Sequence, residues 1–275
     1  MQLGGPIILT IAALALAACQ RPATPNGARA SFSLDGSDYS SVESKLAHGK
    51  RVAVLLGCEA CHGPTLQGTN VSADEPEMGE MNAPNLSLLM PQYSDAEFER
   101  ALRQGIPKDG REFWFMPSEG LQFLSDADMA ALIAYLRTVP PGGKPMPPLR
   151  KGPLFFRLIE TGEMRPAPEI AARFRREQPA DLGGEHAYGR YVAMLVCSEC
   201  HNSKLQGYVD FTPDLDIAGA YNVEQLNHLL TTGEGLAPRD LGMMRSTVRA
   251  RLNRLTPHER AALIAYLKAR AERPQ

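Results

Sequence analysis

The chain has 275 residues, enough for about two domains of ordinary size. Its formal net charge is −2 with 22% charged residues, which excludes a basic footprint for nucleic acid. Twenty-two prolines and 24 glycines are many for compact helical domains, so irregular connectors are expected.

Residues 3–18 are nearly all apolar and end in Leu16-Ala17-Ala18-Cys19. A short apolar run closed by small residues reads as a secretory signal and not as a membrane span. The Leu-Ala-Ala-Cys ending resembles the lipobox of bacterial lipoproteins. That resemblance implies a signal peptide at 1–18, cleavage before Cys19, lipidation of the Cys19 thiol and anchoring on the periplasmic side of a bacterial membrane. Gln20, where an Asp would favour the inner membrane, leans the expectation to the outer one. Residues 19–43 are rich in Ala, Ser, Pro, Gly and Asp and lack periodicity, the composition of a flexible tether. Val42, Leu46, Val52, Leu55 and Leu56 then recur at helical spacing and predict a helix leading into the next motif.

That motif is Cys58-Glu59-Ala60-Cys61-His62, and it returns as Cys197-Ser198-Glu199-Cys200-His201. Two thiols three positions apart lie one helical turn from each other. They can add to the two vinyl groups of one porphyrin, and the histidine then sits under the iron. C-x-x-C also serves zinc ribbons and redox dithiols. A zinc ribbon, however, pairs its two C-x-x-C units closely, and these begin at residues 58 and 197. The context repeats as well: both histidines open an H-x-x-x-L-Q-G stretch, through Leu66-Gln67-Gly68 and Leu205-Gln206-Gly207. The expected cofactors are two covalently bound haem c groups, on Cys58 and Cys61 and on Cys197 and Cys200, with His62 and His201 as iron ligands. Cys19 is then the one cysteine left of five, and no disulfide is expected.

With these motifs both halves resemble class I cytochrome c domains. The resemblance implies an all-α fold of two tandem domains, at 44–140 and 183–275, joined by a Pro-rich linker or strap at 141–182. It also implies a distal methionine on each iron. In the first half the candidates are Met78, Met81, Met90, Met116 and Met129. Met116 stands out in Phe113-Trp114-Phe115-Met116-Pro117, where the proline fixes the backbone and the aromatic rings exclude water. Met78 and Met81 fall in an acidic stretch, 73–81, expected as a solvated loop, and Met129 falls in a helical run and is expected in the core. Pro84-Asn85-Leu86 and Pro213-Asp214-Leu215 are positioned to offer a backbone carbonyl to the His62 and His201 Nδ1–H groups, the bond that sets ligand basicity. Arg111 is a candidate partner for a haem propionate. Ser125 caps the closing helix, with Asp126 and Asp128 in its first turn. Its Ala-Ala-Leu-Ile-Ala-Tyr-Leu, residues 130–136, recurs verbatim at 261–267.

Residues 138–149, Thr-Val-Pro-Pro-Gly-Gly-Lys-Pro-Met-Pro-Pro-Leu, cannot form helix and read as an extended connector. Residues 152–178 mix apolar and basic groups. They are expected as a strap packing against both domains, with a docking surface for an acidic partner as the alternative. In the second half Met244 follows Gly233 at the spacing by which Met116 follows Gly105, and Arg239 then aligns with Arg111 as a propionate contact. Met243 is the alternative ligand. His48, His186, His228 and His258 have no motif context and are expected at the surface or in tethers.

These readings describe a lipid-anchored dihaem cytochrome that moves single electrons. The resemblance is closest to cytochrome subunits that take electrons from periplasmic dehydrogenases of alcohols, sugars or aldehydes. It implies a dehydrogenase as donor, a cytochrome or oxidase as acceptor, a membrane through the lipid, and no nucleic acid. The alternative is a dihaem peroxidase or a haem-based sensor with one labile iron, although no His–Glu pair is placed for O–O cleavage.

Overall fold

The computed structural model describes residues 32–237 and 240–273. The signal stretch, Cys19 and Arg239 lie outside the described residues.

Helix α1, Val42–Leu55, starts at a capping box in which the Ser41 and Ser44 side chains serve each other's amides. Gly57, at φ 76°, ends its run and turns the chain into α2, Cys58–His62. Two short antiparallel ladders follow. Thr69–Asn70 (β1) pairs with Asn82–Ala83 (β3), and Gly79–Glu80 (β2) pairs with the distant Arg150–Lys151 (β4). Helices α3 (Leu86–Leu89), α4 (Asp95–Gln104), α5 (Ser118–Leu121) and α6 (Asp126–Leu136) complete the first half. Helices α7 (Pro153–Glu160) and α8 (Ala167–Arg176) occupy the middle. The second half contains α9 (Ala187–Val196), α10 (Ser198–His201), α11 (Val223–Thr232), α12 (Met243–Ala250) and α13 (Pro257–Glu272). Helices α4 and α11 correspond: each has an N-terminal capping box, and Gly105 and Gly233 end them in the left-handed conformation that favours glycine. The architecture is therefore all-α in two tandem halves, as the resemblance implies. Among the described residues no helix is long and apolar enough to cross a membrane.

Each half is closed by a crossing of its first and last helices. At Gly49 the backbone of α1 lies directly on α6, where an added Cβ would collide with the Ala131 carbonyl oxygen and come within 2.9 Å of the Tyr135 Cβ. Gly189 repeats the contact between α9 and α13, against the Ala262 carbonyl and, at 2.7 Å, the Tyr266 Cβ. Val52, Leu55, Leu132 and Leu136 fill the first core, and Val192, Leu195, Leu263 and Tyr266 the second.

Two expectations are corrected at the seam between the halves. Residues from 32 onward are built into the structure and are not tether. Leu34 is fully buried and its amide donates to Asp128 Oδ2 at 3.0 Å. The Asp35 amide donates to Glu259 Oε1 at 2.9 Å, and the Tyr188 hydroxyl donates to Asp35 Oδ1 at 3.3 Å. His48, expected at the surface, is buried with its Nε2 2.7 Å from Asp128 Oδ1. Arg51 of α1 pairs with the fully buried Glu259 of α13 at 2.9 Å. Glu259→Ala removes the counter-ion of Arg51 and the acceptor of the Asp35 amide at this seam. A loss of about 3–5 kcal/mol is expected from breaking such a pair, read as a lowered urea midpoint of the holoprotein.

The Pro-rich stretch after α6 is not helix, as expected, but it is pinned down. Asn85 Nδ2 donates to the Gly142 and Lys144 carbonyls at 2.8 and 3.2 Å, and β4 closes on β2. Helix α7 is anchored by Phe155, fully buried with its ring 5.1 Å from Trp114 and 6.0 Å from Phe115. The Ala167 amide at the start of α8 donates to the Phe113 carbonyl at 2.7 Å. Further on, the Tyr266 hydroxyl donates to the Ala180 carbonyl at 2.9 Å and Arg190 Nε to the Pro179 carbonyl at 2.9 Å. The middle segment thus packs against both halves.

Candidate functional site

The left-handed turn at Gly57 sets α2 so that Cys58 and Cys61 lie one turn apart and His62 closes the helix. A cavity of about 770 Å³ opens beside them, lined by these three residues and by Leu132, Leu136 and Met116, among others. His62 is buried, with Nδ1 2.8 Å from the Pro84 carbonyl oxygen. A carbonyl can only accept, so Nδ1 carries the proton and Nε2 keeps its lone pair. Burial lowers the His62 pKa and the Pro84 bond partly offsets it, so the ring is the neutral imidazole that a metal requires.

The second motif follows α9 without a left-handed turn, Cys197 itself capping the helix, and its histidine is held in the same way. His201 Nδ1 donates to the Pro213 carbonyl at 2.8 Å, and burial again lowers the pKa. The shared H-x-x-x-L-Q-G stretch has a mechanical reading. Gly68 and Gly207 donate their amides to the His62 and His201 carbonyls at 2.8 and 2.9 Å. Leu66 and Leu205 are buried at φ 56° and 61°, a region non-glycine residues rarely enter. Their carbonyls accept from Leu86 and Leu215, at 2.9 and 3.0 Å, and so draw the two proline loops under the imidazoles.

Burial pushes the Cys58 thiol up to about 12 and the Cys197 thiol up to about 12, and raises Cys61 and Cys200 as well. Such apolar surroundings suit an uncharged thioether better than a thiolate. The donors therefore fit haem: paired thiols, a neutral imidazole with a free Nε2, and in the first half an apolar cavity of ligand size.

The first cavity gathers several residues expected there and several that were not. Met116 lines it with Phe113, Trp114 and Phe115, and Arg111 lies on the same wall. The Arg111 charge works against protonation of His62, which sets it near the imidazole. Met81, expected in a solvated loop, is 2% exposed and lines the cavity. Its amide donates to Ser72 Oγ and Asn70 Oδ1 at 3.0 and 3.1 Å, which folds the acidic stretch inward at that residue. Met90 and Met129 are in the core, the latter as expected. The Pro-rich stretch supplies Met146, Pro147, Pro148 and Leu149 as wall, a role that its composition did not signal. Glu199 and Arg251 reach the same cavity from the second half. In the second half Met244 packs against the core at the start of α12, whereas Met243 beside it is 59% exposed.

The cytochrome c family model matches the chain twice, over residues 46–140 and 186–271. A nicotinate dehydrogenase subunit of Pseudomonas putida is 29% identical over 189 residues, 58% of this chain and 14% of that protein. The fructose dehydrogenase cytochrome subunit of Gluconobacter japonicus is 24% identical over 258 residues, 82% of this chain and 52% of that protein. The chain thus spans about half or less of the length of these relatives. Two family matches, each containing one of the histidine sites built above, make the chain a member of the cytochrome c family, an electron-transfer protein with two covalently bound haem c groups.

Proposed function

We propose that this chain carries single electrons from a periplasmic dehydrogenase to a respiratory acceptor, a cytochrome or an oxidase, as a lipid-anchored subunit. The observation that carries the reading is the pair of buried imidazoles, each fixed through Nδ1 by a proline carbonyl at 2.8 Å. In this assignment His62 and Met116 would hold the first iron. His201 and Met244 serve the second, Met244 being preferred to Met243 because the latter faces solvent. Cys58, Cys61, Cys197 and Cys200 carry the thioether bonds. Arg111 and Arg239 serve propionates, and Cys19 carries the lipid. The first haem domain extends past residue 140 in this reading, since residues 146–149 wall its cavity.

Bound haem supplies reversible one-electron chemistry at iron. The chain's own groups bias it. The proline carbonyls make each imidazole a stronger donor by accepting its Nδ1 proton. A neutral thioether and an apolar wall favour the less charged, reduced state. The names of the two relatives, dehydrogenase subunits for nicotinate and fructose, support a dehydrogenase of a small organic substrate as the donor.

The test is the absorption spectrum of the holoprotein, oxidised and reduced, with and without carbon monoxide and peroxide. Two low-spin haems that ignore both ligands are expected. A high-spin fraction that binds carbon monoxide or consumes peroxide would replace this reading with a peroxidase or a sensor.

A further inference from the structure

The two cysteine motifs are far apart in sequence, but one side chain joins them. Arg251, just after α12, reaches across the seam to the end of α1, where its Nε donates to the Leu55 carbonyl at 3.2 Å. Its guanidinium lies flat against Gly57, so that a Cβ there would come within 2.6 Å of Arg251 Cζ. Leu55 and Gly57 lead directly into Cys58. Both terminal nitrogens of Arg251 donate to Glu199 Oε2 at 3.3 Å. Glu199 lies inside the second motif, between Cys197 and Cys200. Two non-covalent links therefore connect the backbone ahead of one thiol pair to the residue inside the other. Arg251 and Glu199 also line the first cavity beside Cys58 and Cys61.

An ion pair that only holds the halves together would be one reading. The seam, however, is already held by Arg51, Glu259 and Asp35. The Arg251 side chain is 13% exposed, so its charge is weakly screened.

We propose that Arg251 is the shared electrostatic control of the two haem sites, its guanidinium strengthening the hold of both on an electron and Glu199 opposing it. This inference rests on the electron-carrier reading and adds to it a residue outside the assigned iron ligands. Arg251 acts through its field and its three hydrogen bonds, so it is a positioning residue. A fixed positive charge near both sites disfavours the more positive, oxidised state. Its removal makes both haems harder to reduce, and removal of the Glu199 charge makes both easier.

The experiment is a spectroelectrochemical titration of the holoprotein and three variants, Arg251→Gln, Glu199→Gln and Arg251→Lys. Arg251→Gln is expected to lower the equilibrium constant for reduction of each haem about tenfold, which is about 59 mV for one electron. Glu199→Gln is expected to move both in the opposite direction, and Arg251→Lys, which keeps the charge, to leave both near the native values. A purely structural role would not produce opposite signs. The proposal is overturned if both charge-removing variants shift the same way, if only one haem responds, or if Arg251→Lys shifts as far as Arg251→Gln. Should Arg251→Gln fail to accumulate, Glu199→Gln decides: an upward shift of both haems supports the proposal and unmoved potentials end it. A native spectrum without two low-spin haems would remove the carrier reading itself, whereas intact spectra with unmoved potentials remove only the role of Arg251.

Discussion

Replacing Met116 by alanine is expected to convert half of the haem in the protein from low-spin to high-spin, to lower its potential and to open it to carbon monoxide. Met116 lines the first cavity with His62 and is held from both sides. Its carbonyl accepts from the Ser118 amide at 2.7 Å, and Pro117 fixes the turn into α5. Trp114 and Phe115 on its N-terminal side pack edgewise on the buried Phe155. A side chain seated in that way cannot be replaced by a neighbour on the same loop, so alanine leaves an open position. Met81 and Met146 are the competitors in the first cavity, since they too line the wall. Met81→Ala and Met146→Ala should therefore each keep both haems low-spin. If Met116→Ala stays low-spin while Met81→Ala turns high-spin, the ligand is Met81 and the assignment falls.

The second large effect is expected at the helix crossings. Gly49→Ala or Gly189→Ala should destabilise the holoprotein by about 3 kcal/mol, the upper end for overpacking a tight contact. A typical domain has only about 5–15 kcal/mol in total. The reason for the upper end is what the new methyl group meets. At Gly49 it is the carbonyl of Ala131, and at Gly189 the carbonyl of Ala262, both locked in helical hydrogen bonds and unable to rotate aside. Alanine would ordinarily stabilise a helix interior by up to about 1 kcal/mol over glycine, so a net loss isolates the crossing itself. The measurement is the urea midpoint followed by haem absorbance. A midpoint equal to or above the native one would sink the argument.

The parts of the site legible in sequence are those with short-range causes. The thiol spacing, the following imidazole and the leucine-glycine repeat all act within one turn or one loop, and both halves use them to the same end. The proline carbonyls under His62 and His201, 22 and 12 residues further on, were legible through the family resemblance instead. Three features were not. The acidic stretch at 73–81 reads as solvated by composition, yet one apolar residue at its end, Met81, is drawn in by Asn70 and Ser72. Residues 32–41 have the composition of a tether, but their order comes from backbone amides meeting Asp128 and Glu259, which sequence pattern cannot display. Arg251 looks like any surface arginine until the two halves are brought together, because every partner that defines it is remote in the chain.

The seam formed by residues 32–41 has a kinetic consequence. Two domains on an ordinary linker are expected to rock against each other. Here a buried aspartate and a buried glutamate, one from the last helix of each half, are both bonded to the same entering strand of chain, and the halves are keyed as one body. Electron exchange inside the molecule then needs no hinge to close. Its rate should be first order, independent of protein concentration and unaffected by solvent viscosity, so that only the encounters with outside partners remain diffusive.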